Sequence, residues 1–131
     1  MSRDIAERKD IEFLVEQFYE RLLVDEIVGH FFNEVVKLDL DEHLPIICDF
    51  WESLLYDTAI YQGNPMIKHI ALHEKSPILN EHFERWLHIW KDTVQSHFRG
   101  EFAEKALLKA DQIALLMKIK VRESNNPRLI L

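Results

Sequence analysis

Three glycines and four prolines are the only strong chain-breakers in 131 residues. A β-sandwich or barrel turns about every ten residues and needs far more of them. Gly29, Gly63, Gly100, Pro45, Pro65, Pro77 and Pro127 leave stretches long enough for helices of several turns. The fold class this predicts is all-α.

Hydrophobic spacing fills those stretches with amphipathic helices. Ile11, Leu14, Val15, Phe18 and Leu22 recur three and four apart between Asp4 and about Val24, one buried face of a first long helix. Gly29 and His30 lead into Phe31-Phe32-Asn33, a corner or short helix. Asp39, with Glu42 three residues on, reads as a capping box for a helix carrying Leu44, Ile47, Phe50, Trp51, Leu54 and Leu55 inward. Pro45 predicts a kink or restart in that helix. Tyr61-Gln62-Gly63-Asn64-Pro65 is a loop, followed by a short helix through Met66, His69, Ile70 and His73 that Pro77 ends. Asn80 is the expected cap of a long helix bearing Phe83, Trp86, Leu87, Trp90, Val94 and Phe98, with Gly100 as its stop. A last helix from Glu101 to Glu123 turns Ala103, Ala106, Leu107, Ala110, Ile113, Ala114, Met117 and Val121 inward. The expectation is one domain over 1–131, four long helices and two short ones, with a short tail from about 124.

Composition narrows the function classes. Hydrophobic residues make up 47% and charged residues 30%, a globular balance with no apolar run long enough for a transmembrane helix. The start, Met1-Ser2-Arg3-Asp4, has no signal-peptide pattern, and the single cysteine, Cys48, forms no internal disulfide; both point to a cytoplasmic protein. One cysteine also excludes a thiolate metal cage. A net charge of -7 without a basic cluster argues against nucleic acid and anionic membranes as partners.

Phosphate-cradling, dinucleotide, nucleophile-elbow and HExxH motifs are all missing, which turns attention to seven histidines. None has an acidic residue three positions before it, so a ferritin-type di-iron site is excluded. His30/Glu34, His69/His73 and His88/Asp92 follow the order of hemerythrin-like ligand pairs, although His88 and Asp92 are spaced too closely and no histidine precedes His30. The competing site centres on His69. On a short helix flanked by Met66, Ile70 and Leu72, its imidazole projects from an apolar wall, which suits a haem iron.

Several stretches together carry a resemblance. They are Phe18-Tyr19-Glu20, Phe31-Phe32-Asn33, His43-Leu44-Pro45 with Phe50-Trp51, Tyr61-x-Gly63-Asn64-Pro65-Met66-x-x-His69, and His82-Phe83-x-x-Trp86-Leu87. In this order and spacing the chain resembles the group III truncated haemoglobins from about Ile11 to about Ile113, and it lacks the Gly-Gly turns of the other truncated groups. The resemblance implies a short, truncated globin fold around a haem, with His69 as proximal iron ligand. Tyr19 matches the distal tyrosine that hydrogen-bonds a gas ligand, Trp86 the tryptophan that lines the distal pocket, and His43 the distal-helix histidine. Phe32 matches the phenylalanine packed on the porphyrin. Helical spacing adds Phe18, Ile47, Phe50, Met66 and Phe83 as pocket wall.

The haem implied is b-type, since no Cys-x-x-Cys-His attachment motif exists. The expected function is binding, and transport, of dioxygen or another diatomic gas. Nitric oxide or peroxide chemistry would require an external reductase, because nothing in the chain binds flavin or nicotinamide; whether the protein is an enzyme stays open, and a monomer or weak dimer is expected. Two other readings stand beside it: a haem-free globin-like binding or structural module, and a hemerythrin-like di-iron oxygen carrier. Taken singly, Trp51, Trp90 and Phe98 are core residues, Cys48 an inert one, and His73, His82, His88 and His97 surface or boundary histidines.

Overall fold

The computed structural model describes residues 3–31, 39–58 and 78–124. Within them the chain forms four helices, α1 (Arg8–Leu23), α2 (Leu40–Tyr56), α3 (Asn80–His97) and α4 (Glu101–Ser124). Apart from one isolated bridge between Arg3 and Phe98, the described residues hold no β-structure. The all-α expectation holds. The corner at 32–38, the loop and short helix at 59–77 and the tail at 125–131 lie outside the described residues.

α1 packs on α2 and α3, α3 on α4, and α2 reaches α4. The inner face of α1 is the one its periodicity predicts: Ile11, Leu14, Val15, Phe18 and Leu22 are all buried. The helix starts at Arg8, four residues later than Asp4. The Asp10 carboxylate accepts the N–H groups of Ala6 and Glu7 at 2.9 and 3.0 Å, which closes the first turn there.

Asp4 instead serves a distant helix. Its carboxylate accepts the N–H groups of Phe102 and Ala103 at 3.0 and 2.9 Å, capping α4 from the opposite end of the chain. Hydrogen bonds to these amides hold its carboxyl below the usual carboxylate range, overcoming the opposing effect of burial. Arg99 N–H donates to the Arg3 carbonyl at 3.0 Å, so the N-terminal segment straps the α3–α4 joint. Gly100 makes the strap possible. Its φ is +141°, and a Cβ there would meet the Asp4 Cγ at 2.5 Å. Gly100 was expected at the C′ position, directly after the cap, and stands one position further on; α3 ends at His97 because Phe98 turns extended, with φ −135° and ψ 154°.

Asp39 caps α2 as expected, accepting the Asp41 N–H at 3.1 Å. Pro45 does not interrupt that helix, which runs unbroken to Tyr56. The proline lies in its second turn, and the carbonyl deprived of a partner belongs to Asp41, an exposed residue at which solvent is available. At the other end Asp57 takes a left-handed conformation, and Lys105 of α4 donates to the Leu55 carbonyl at 3.0 Å and to Asp57 at 3.1 Å. The cap of α3 also differs from expectation. The cap residue is Leu79, not Asn80, and the Leu79 N–H donates to His82 Nδ1 at 2.8 Å.

Candidate functional site

Phe18 and Tyr19 are neighbours on α1, so their side chains leave the helix about 100° apart. Phe18 turns toward α3, its ring 5.9 Å from Trp86 and 5.0 Å from Trp90, both edge-on. Tyr19 turns toward α2 and meets His43 in its first turn: the hydroxyl lies 2.9 Å from His43 Nε2. Phe18 stands between Tyr19 and Trp86, 5.4 Å from the tyrosine ring. Of the three polar residues expected at a distal wall, Tyr19 and Trp86 thus flank the buried Phe18, and His43 joins them through Tyr19.

Burial pushes the Tyr19 hydroxyl well above its ordinary range, so it stays protonated and neutral. A hydroxyl has one proton to give and lone pairs to accept. Tyr19 either donates to Nε2 or accepts from it, according to the histidine tautomer. When His43 carries its proton on Nε2, the tyrosine proton can be given to another acceptor.

A tryptophan series holds this wall in place. Trp86 and Trp90, one turn apart on α3, are nearly parallel with centroids 6.5 Å apart. Trp90 stacks on Trp51 of α2 at 4.2 Å and 15°. Trp90 is fully buried, and its indole N–H donates to the Ala106 carbonyl of α4 at 3.2 Å. This one side chain connects three helices and fixes the surface on which Phe18 rests. Helical spacing predicts Trp90 in the core, and the i, i+4 relation to Trp86 was the available sign that it also sets the wall's geometry.

Phe83 is buried one turn before Trp86, while Ile47 and Phe50 of α2 are half-buried and pack against the core. Cys48 is buried, its thiol pushed up to about 11 by desolvation, which fits an inert apolar role. His69, Met66 and Phe32 lie outside the described residues, as do His73 and Glu34.

The remaining histidines separate by environment. His82 is more than a boundary residue. Its ring packs edge-on against Phe31 at 4.8 Å and lies 5.9 Å from His30, while Nδ1 caps α3. Its position as third residue of the helix was the readable sign of that role. His88 and Asp92 line an outer groove with Arg21, and Arg21 donates to the Asp92 carboxylate at 2.7 Å. Among the described residues no group of three histidine, cysteine or acidic side chains is arranged to hold a metal ion.

This four-helix arrangement, with tyrosine and histidine paired across α1 and α2, agrees with what comparison finds. The family model for bacterial-like globins matches residues 4–119. The chain belongs to that family. A group 3 truncated hemoglobin of Campylobacter jejuni is 29% identical over 117 residues, covering 87% of this chain and 90% of the relative. A crystal structure of group III truncated hemoglobin from the same organism superposes with a TM-score of 0.81 at 27% identity, covering 92% of this chain and 95% of that one. The fold is a truncated globin, and membership carries the general globin role of holding haem and taking a gas ligand there. No helix among the described residues is long and apolar enough to cross a membrane.

Proposed function

We propose that the chain holds haem b non-covalently and binds dioxygen or another diatomic gas. The observation that carries this reading is the buried Tyr19 hydroxyl 2.9 Å from His43 Nε2, beside an otherwise aromatic wall. The donor chemistry of that wall fits the group: Tyr19, His43 and Trp86 supply N–H and O–H groups on largely apolar bodies. Phe18, Ile47, Phe50 and Phe83 would form the apolar slot, together with Phe32 and Met66, and His69 would ligate the iron. Haem, when bound, supplies the iron at which the gas coordinates.

What the protein contributes is a preorganised donor in a dry place. Tyr19 cannot ionise at working pH, so its proton remains available, and low local polarity strengthens any hydrogen bond it gives. His43 holds the hydroxyl oriented, and the Trp86–Trp90–Trp51 series packs against Phe18 and fixes its ring beside Tyr19. The same donors would serve turnover of dioxygen with nitric oxide, for which a separate reductase must restore the ferrous state, or of peroxide, for which a separate electron donor must supply the two electrons.

Optical spectra of the protein titrated with haemin, reduced and then given carbon monoxide, test the reading. A sharp Soret band at one haem per chain that shifts with carbon monoxide is expected, and His69→Ala should lose stable haem. Full haem retention in that variant would refute the ligand assignment, and no stoichiometric binding by the unaltered chain would favour the haem-free module.

A further inference from the structure

Helix α4 is apolar on two opposite faces. Ala106, Ala110 and Met117 lie on its buried side. About 180° around the helix, Leu108, Leu115 and Ile119 follow at i, i+7 and i+11, in line to within about 20°. They are 57%, 61% and 42% exposed, and Leu116 beside them is 45% exposed. A side diametrically opposite the core receives no cover from α1, α2 or α3. Ordinary surface helices are polar there.

The charges along this stripe are arranged for self-recognition. Glu101 and Glu104 stand in the first turn and Arg122 in the last, all three exposed. Glu101 and Arg122 are equally distant from the point between Asp111 and Gln112, and so are Leu108 and Leu115. A two-fold axis through that point, with two helices antiparallel, sets Leu108 on the second copy's Leu115 and Glu101 against its Arg122, while Glu104 falls at the edge beside its Ile119. Each contact then occurs twice, as an isologous interface requires. The antiparallel arrangement also opposes the two helix dipoles favourably.

We propose that the exposed face of α4, centred on Leu108 and Leu115, is the docking surface for a second copy of this chain in an antiparallel two-fold dimer. A parallel pairing would place like charges together at both ends, and the opposite charges at the two ends of the stripe select against it. A single helix face carried by four apolar side chains favours a dimer that forms reversibly with concentration. Nothing in this assignment depends on haem.

Sedimentation velocity of the full chain over a roughly hundredfold concentration range tests it. The expected result is a concentration-dependent rise in mass toward twice 15.7 kDa. Leu115→Glu, at an exposed position that leaves the fold intact by circular dichroism, should abolish the rise. Glu101→Arg and Arg122→Glu should each weaken association several-fold, and the two together should restore it. A dimer indifferent to Leu115→Glu, or a double variant as weak as the singles, would overturn the proposed geometry. A chain that stays monomeric throughout would overturn the proposal, and faster hydrogen exchange over 125–131 in Leu115→Glu would then assign the stripe to the chain's own tail.

Discussion

Helix α3 is capped by a residue that titrates. His82 Nδ1 accepts the Leu79 N–H at 2.8 Å, a task that glutamate or glutamine performs in an ordinary capping box. Protonation puts a hydrogen on Nδ1 and destroys the acceptor. Burial is the main reason that the folded state keeps His82 neutral; the neighbouring His30 acts the same way, and Glu81, 3.9 Å from Nε2, opposes them. The folded pKa therefore lies below the ordinary histidine value of 6.5. A depressed folded pKa means that the contribution is complete above about pH 6.5 and is lost as pH falls through the folded value, because the unfolded chain takes the proton first. His82→Gln keeps an acceptor that does not titrate. At pH 7.5 the variant should match the unaltered protein to within about 0.5 kcal/mol. At pH 5 it should be more stable by about 1 kcal/mol, the typical size of a helix cap. For a domain of this size that is a difference of about 3–5 °C in Tm. Thermal melts followed by circular dichroism at both pH values supply the comparison, and the other histidines cancel because both proteins contain them. Equal loss of Tm between pH 7.5 and 5 in the two proteins would refute the capping role.

Other expectations are as direct. Tyr19→Phe should leave haem binding intact and speed dioxygen release by roughly 10- to 100-fold, the value of a lost hydrogen bond to a charged acceptor, while changing carbon monoxide release little; stopped-flow kinetics with equal effects on both gases would contradict the donor role. Gly100→Ala forces a Cβ onto Asp4 and disturbs the α4 cap, so chemical denaturation should report a loss of about 2–4 kcal/mol. Trp90→Ala should cost about 3–5 kcal/mol by the same assay, since a fully buried indole and its bond to Ala106 both disappear.

The helices were readable because burial follows a local period. The inner faces predicted for α1 and α4 are buried almost residue for residue, and Trp51 and Trp90 lie in the core as their spacing indicated. Helix ends were less readable where a cap comes from elsewhere. Asp4 satisfies amides 98 and 99 residues away, and nothing near Gly100 in the sequence signals that partner. Asn80 looked like a cap by residue type, yet the histidine two positions on supplied an acceptor to Leu79 instead. Pro45 looked disruptive because propensity counts the lost hydrogen bond at full weight, whereas in an early turn, at an exposed residue, solvent is available to the carbonyl.

The site shows a different limit. The resemblance could nominate Tyr19, His43 and Trp86 separately, but the run of contacts from His43 through Tyr19 and Phe18 to Trp86 emerges only when α1 lies across both α2 and α3. That crossing is set by Trp90, whose ring contacts Phe18, stacks on Trp51 and hydrogen-bonds the backbone of α4. A conservative change at Trp90 should therefore alter the Tyr19–His43 separation without touching either residue. Trp90→Phe retains aromatic packing but loses the bond to Ala106, so any change it makes in gas kinetics acts through the position of the wall. A change confined to stability, with gas kinetics untouched, would show instead that α1 and α2 alone hold the tyrosine–histidine pair.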